Sequence, residues 1–249
     1  QNDHRCYEGP HGSKEKYADY EVPGDLVDTE GDWRENYPDY LGCINSLDQN
    51  LGRIRDKLEE LGMAENTIII FTSDHGSHFC TRNGEYKRAC HDGCTHIPMV
   101  VYGPGFKGGK VVDEMTSLID LPATVVKSAG IEPPEWMQGN HLNGLVDGST
   151  KDWPEEAFMQ ISESQCGRAI RTARWTYSVR SPDASNSALG GDLYREDFLY
   201  DNDTDPHQKA NLVSDPAYAE VRADLKARLL KRMAEANEPP AAIEASEGS

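Results

Sequence analysis

The sequence predicts an α/β fold, and three observations carry that expectation. A long amphipathic helical pattern runs into a short β-branched segment, and a second apolar segment and a shorter helix follow with short connections. After about residue 153 come several short apolar segments separated by turns, which predict a small antiparallel sheet. A last amphipathic stretch closes the chain as a helix.

Residues 1–35 are polar and turn-rich, with Gly9-Pro10 and Pro23-Gly24, and read as irregular. Tyr40, Ile44, Leu47, Leu51, Ile54, Leu58 and Leu61 then alternate spacings of four and three. That places them on one stripe of a helix from near Pro38 to Gly62, expected to pack on a sheet. Ile68 to Thr72 and Ile97 to Tyr102 read as strands, the first as one buried on both faces of a parallel sheet. Asp120 is placed to cap a helix with Pro122 in its first turn, ending at Gly130, with Leu121, Val125 and Ala129 inward. The later strands fall at 158–161, 167–172, 175–179 and 198–200, with a long Ser/Gly/Asp-rich loop over 181–195. The last helix runs from Pro216 to about Ala236, with Val221, Leu225, Leu229 and Met233 on one face. The organisation expected is a core over 1–150, a C-terminal subdomain over 151–236 and a flexible tail over 237–249.

Lys plus Arg number 25 against 43 for Asp plus Glu, a net charge of −18 over 249 residues, with a mean hydropathy of −0.70. That balance excludes general nucleic-acid binding, which needs a basic surface to displace counterions. No run approaches the roughly 18 apolar residues of a membrane-spanning helix. The chain opens on Gln1 without an initiator Met or a signal peptide, so a missing N-terminal part is expected. Cys80, Cys90 and Cys94, beside His91 and His96, raise the idea of a zinc site. The Cys-x₃-Cys spacing is loose for structural zinc and no second pair follows, so ordinary thiols are the expectation.

Ligands in open α/β sheets gather beyond the carboxyl ends of the strands. Asp74 and His75 stand at such an end, on a turn that Gly76 permits. Asp74 offers hard oxygen to a divalent ion, and His75 a second ligand or a proton-transfer group. Between residues 75 and 96 lie His75, His78, His91 and His96 with Arg82, Lys87 and Arg88, against only Glu85 and Asp92. In an acidic chain this is a local cationic island of the kind an oxyanion pocket requires.

On these residues the chain resembles the sulfatases of the alkaline phosphatase superfamily. TIIIFTSDHG over 67–76 is similar to their metal-binding block. NGEYKRACHDGCTHIPMVVYGPGFKGG, then TSLIDLPATVVKSAGIEPPEWMQGNHLNGLVDG, continue the likeness in family order. GDWRENYPDYLGCINSLDQNLGRI before the block, and GRAIRTARWTYSV and FLYDNDTDPHQKANL after it, extend it over about 20–235. The resemblance implies a partial alkaline-phosphatase-like mixed-sheet sandwich with the small C-terminal subdomain, and hydrolysis of a sulfate ester, on a carbohydrate. It implies Asp74 and His75 as ligands of a divalent ion, usually calcium, with manganese or zinc compatible with the imidazole. It implies Lys87 as the sulfate contact and Asp92 as structural. His91 is a weaker candidate for substrate contact and His96 a loop histidine, while His4 lies where the family carries a histidine near the scissile oxygen.

Two departures qualify the likeness. The family nucleophile is a formylglycine made from the Cys or Ser of Cys/Ser-x-Pro-Ser-Arg, and no such motif occurs here. The paired aspartates of the family's first strand are absent as well, so these residues alone are expected to be inactive. His75, in turn, is shared with related phosphonate monoester and phosphodiester hydrolases, which keeps a phosphorus substrate open. A binding module that captures sulfated glycans without cleaving them is the reading from another class, distinguished by the presence or loss of the nucleophile motif upstream.

Overall fold

The structure, a computed structural model, describes residues 7–106 and 108–246. It divides into two compact units, Gln1–Ala89 with Gly93–Lys107, and Cys90–Asp92 with Gly108–Ser249. The chain therefore parts near residue 107 and not at the expected 150. Residues 108–150 are tied into the second unit, where the Trp153 indole donates to Met115 O at 2.7 Å and the Gln138 amide to Glu235 O at 2.9 Å.

In the first unit, α1 (Ser13–Lys16) packs on the start of α2 (Trp33–Glu60). A cluster of aromatic rings forms the core, with Leu26, Trp33 and Phe79 buried and Tyr7, Tyr20, Tyr37 and Tyr40 packed on them. Burial pushes the Tyr7 phenol up to about 12. Helix α2 begins five residues earlier than expected, because Asp32 O accepts from the backbone of Glu35 and Asn36 and from the Asn36 amide, which builds a turn ahead of Pro38. The expected packing of its apolar stripe on a sheet is not met among the described residues: Ile44, Leu47, Ile54 and Leu61 are 42–57% exposed. Periodicity identifies a face but not what covers it.

Strands β1 (Ile69–Thr72) and β2 (Met99–Tyr102) correct a second expectation, because they pair antiparallel, Ile69 opposite Tyr102 and Thr72 opposite Met99. The segment between them leaves and returns at the same end of the pair. It contains only the short helix α3 (Asp92–Thr95), so it makes a wide hairpin and not the helical crossover that parallel strands need. Val100 and Tyr102 are 62% and 53% exposed, so this ribbon is not buried on both faces.

The second unit opens with α4 (Asp120–Ser128) and α5 (Asn143–Asp147). The inward face of α4 is Asp120, Ala123 and Thr124, not the expected Leu121, Val125 and Ala129. Polar side chains win because they satisfy loop backbone. Asp120 accepts from Ser117 N and Asn140 N, both at 2.8 Å, and Thr124 Oγ1 accepts from Leu142 N at 2.9 Å.

Alternation in four consecutive segments then builds β3 (Glu156–Ile161), β4 (Gly167–Thr172), β5 (Trp175–Arg180) and β6 (Leu193–Asp201), each antiparallel to the next. The helix α6 (Ala219–Glu235) lays Leu225, Leu229 and Met233 against Ile170, Tyr177, Val179 and Leu199. Each such apolar side chain stabilises the unit by about 1.5–3 kcal/mol. The expected flexible tail instead forms β7 (Ala242–Glu244), which runs parallel beside Leu193–Arg195 and makes the sheet mixed. Ile243 is buried in the same core, which supplies the energy that holds so short a strand.

Glu156 fastens β3 to α6 through Arg228 and Arg232. Burial opposes its ionisation, but the hydrogen bonds from the two arginines prevail and hold its carboxyl below the ordinary 4.5. A carboxylate favoured in the fold stabilises above 4.5, and that contribution is lost as pH falls through the lowered value. Glu156→Gln is therefore expected to flatten the fall in unfolding free energy below pH 4.5, read from denaturant titrations at stepped pH. An unchanged slope would show that other carboxylates carry the acid sensitivity.

Candidate functional site

The chain leaves β1 at Thr72, whose hydroxyl donates to Pro98 O at 2.8 Å, and turns sharply through Ser73-Asp74-His75-Gly76. The Ser73 hydroxyl donates to His75 O at 2.8 Å, and His75 N donates to Asp74 Oδ1 at 3.0 Å. Gly76 N donates to Cys94 O at 2.8 Å. A Cβ at Gly76 would land against the Gly93 carbonyl oxygen, well inside contact distance. Gly76→Ala is expected to destabilise by about 1–3 kcal/mol, since backbone must move to admit the methyl group. Thermal unfolding reads this, and an unchanged melting temperature would show that the approach of the two backbones is not needed.

The imidazole of His75 is held from one side. Its Nδ1 lies 2.8 Å from Gly76 O, and a carbonyl only accepts, so Nδ1 carries the proton and Nε2 presents its lone pair. The Lys87 ammonium donates to that nitrogen at 2.9 Å, and Asp74 Oδ2 lies 3.4 Å from it. Three predicted site residues thus converge on one ring nitrogen. The Asp74 carboxylate is 82% exposed and the His75 ring 29%, so the group faces solvent.

Lys87 is positioned through its backbone. The His78 ring Nε2 lies 3.2 Å from Lys87 O, and the Asn83 amide donates to the same oxygen at 3.4 Å. His78 N donates to Tyr86 O at 2.8 Å, closing the loop between them, and Asn83 Oδ1 accepts from Glu85 N. These two anchors are what sequence reasoning missed. Asn83-Gly84 is a readable turn signal, but residue type alone makes His78 a cation. It is 1% exposed, and burial pulls its pKa down, so it sits in the loop as a neutral ring. Arg88 is paired with Glu85. The cationic island is accordingly smaller than the residue count implied.

His91 and Asp92 belong to the second unit. His91 is 2% exposed, with Nε2 3.0 Å from the Tyr200 hydroxyl and its ring edge-on to Phe198. Those contacts are those of a packed histidine. Asp92 takes both Nε and Nη2 of Arg171 at 2.9 Å, and its backbone N donates to Gln208 Oε1 at 2.7 Å. His4 lies outside the described residues. Burial pushes the Cys94 thiol up to about 12, far from a thiolate nucleophile.

The donor set suits a divalent ion in part. Asp74 offers carboxylate oxygen and His75 an imidazole whose other nitrogen is fixed by a carbonyl, the usual support of a metal-binding histidine. Among the described residues no group of three or more His, Cys, Asp or Glu comes together, so these two make part of a shell. No described helix is long and apolar enough to cross a membrane.

The sulfatase family model matches residues 4–131, and the model for the C-terminal region of N-sulphoglucosamine sulphohydrolase matches residues 84–235. An N-acetylglucosamine-6-O-sulfatase of Bacteroides thetaiotaomicron is 28% identical over 192 residues, which is 75% of this chain and 34% of the relative. A solved structure in complex with its substrate D-glucosamine-2-N,6-O-disulfate is 25% identical, with a TM-score of 0.67 over 84% of this chain and 44% of that one. The phosphonate monoester hydrolase of Agrobacterium radiobacter is 27% identical, with a TM-score of 0.65 over 80% of this chain and 41% of that one. The chain thus spans between a third and a half of the length of these three proteins.

Proposed function

This chain belongs to the sulfatase family of the alkaline phosphatase superfamily, and from that premise we propose that it carries part of a sulfuric ester hydrolase site for sulfated carbohydrate. The observation that carries the reading is the convergence of Asp74, His75 and Lys87 at the end of β1. The sugar enters from the glucosamine specificity in the names of two similar proteins.

In this reading Lys87 donates to an oxygen of the sulfate group, where negative charge grows as the ester bond breaks. Its ammonium is aimed by the backbone bonds of His78 and Asn83, so little ordering remains to be done when substrate arrives. Asp74 and His75 would hold a divalent ion, calcium or, given the imidazole, manganese or zinc, which supplies Lewis-acid stabilisation of the sulfate oxygens when bound. The nucleophile in this proposal is a formylglycine hydrate supplied outside these 249 residues, since none of them forms Cys/Ser-x-Pro-Ser-Arg.

The purified 249-residue chain is then expected not to hydrolyse an aryl sulfate, whereas a polypeptide joining it to that motif is expected to turn over. Turnover by the chain alone would sink the proposal. The Asp74-His75 pair and the likeness to a phosphonate monoester hydrolase favour a second reading, a phosphorus ester substrate. Paired sulfate and phosphonate assays with metal analysis on the nucleophile-bearing protein separate the two.

A further inference from the structure

The ring nitrogen on which the site converges has two claimants. In the reading above His75 gives Nε2 to a divalent ion, yet that nitrogen accepts from the Lys87 ammonium at 2.9 Å. With Nδ1 carrying its proton toward Gly76 O at 2.8 Å, Nε2 has a single lone pair in the ring plane. One lone pair serves either the hydrogen bond or the ion.

The surroundings decide which partner yields. Turning the His75 ring would break the bond from Nδ1 to Gly76 O, and the Ser73 hydroxyl holds His75 O at 2.8 Å. The Lys87 backbone is fixed as well, by the His78 ring and the Asn83 amide at its carbonyl. What can move is the four-carbon stem of the lysine, with its rotatable ammonium. Among the described residues Lys87 forms no ion pair, so its charge rests on a neutral nitrogen and not on a carboxylate. A dication gains more at the same place, because Asp74 Oδ2 lies 3.4 Å from that nitrogen and adds a full negative charge. The displaced ammonium also keeps a neighbour. Nζ lies 5.4 Å from the centroid of the Tyr86 ring, which itself stands 5.8 Å from the His75 ring, so this contact holds the lysine at the site.

We propose that His75 Nε2 is an exchange point. Lys87 and the divalent ion exclude each other there, so binding the ion frees the ammonium to donate to a sulfate oxygen. No proton is transferred, and the lysine stays an ammonium throughout. The inference rests on the assignment of Asp74 and His75 to an ion, and it adds the link between that ion and Lys87.

Titration of the 249-residue chain with Zn²⁺, an ion that imidazole suits, reads the exchange without any turnover. The binding that His75→Ala removes is the binding at this site. Lys87→Met, which keeps the stem but not the donor, is expected to tighten it by about tenfold in isothermal titration. Lys87→Arg keeps a donor and a charge and should stay within about threefold of the parent. Arg88→Met removes a cation one residue away and controls for net charge, with an expected effect of about twofold or less. In ¹³C–¹H spectra the Lys87 Cε signal, assigned by its loss in Lys87→Arg, should move on zinc saturation. His75→Ala should move it without zinc, since it removes the same hydrogen bond. Melting curves for each variant check that the fold is kept. An affinity unchanged in Lys87→Met, an equal gain in Arg88→Met, or a Lys87 signal that ignores zinc overturns the exchange. Zinc binding indifferent to His75→Ala takes the ion from this site altogether, a failure of the ion assignment that no Lys87 variant can mimic.

Discussion

Replacing Lys87 with Ala in the nucleophile-bearing protein is expected to lower kcat on a sulfate ester by about 10²–10³, with a much smaller change in KM. The ammonium is part-buried and held at both ends, by His75 at Nζ and by His78 and Asn83 at its own carbonyl. Such a donor acts mainly where charge develops, so its removal should leave the ground-state complex less affected than the transition state. Lys87→Arg keeps the charge but presents a planar fork where a point donor fitted, and only partial recovery is expected. Steady-state kinetics on an aryl sulfate reads both variants. A rise in KM at constant kcat would mean that Lys87 merely binds substrate, and the role assigned to it would fall.

The largest expected loss of stability lies elsewhere, at Arg168. This side chain is 2% exposed and donates from Nε to both oxygens of Glu238, at 2.7 and 2.8 Å. Its other nitrogens reach Gly167 O and Leu189 O at 2.7 and 2.6 Å. Arg168→Met would leave a carboxylate only 9% exposed without its counter-charge and would take one donor from each of two carbonyls. The expected cost is about 3–5 kcal/mol, enough to lower the melting temperature by on the order of 10 °C. Removing the orphaned charge as well, in Arg168→Met with Glu238→Met, should recover most of that loss. A double variant no more stable than the single one would show that the guanidinium acts through its two carbonyl contacts and not through the pair.

The elements that were legible in the sequence are those whose period meets a partner within the same unit. Leu225, Leu229 and Met233 recur every four residues and are buried, and β3 to β5 follow their turn signals, while β6 starts at Leu193, inside the stretch read as a loop. The α2 stripe is as regular, yet most of it faces solvent, because a period reports a face and not its cover. On α4 the polar Asp120 and Thr124 went inward because the backbone of neighbouring loops needed acceptors, a demand no hydropathy pattern registers. Asp74, His75 and Lys87 were visible as a motif and do meet in space. The supports of Lys87 were not, since a histidine counts as a cation until burial makes it neutral, and burial is a property of the fold.

The strand β7 carries a consequence for synthesis. The residues that flank β6 and neutralise Arg168 leave the ribosome after the strands they join, and they complete a sheet whose other strands were made some forty to ninety residues earlier, Glu156 to Asp201 against Ala242 to Glu244. Until then the nascent second unit presents one edge of β6 without its partner and a guanidinium without its carboxylate. The 238–244 segment thus works as a latch, shut only after the strands it closes upon have been made.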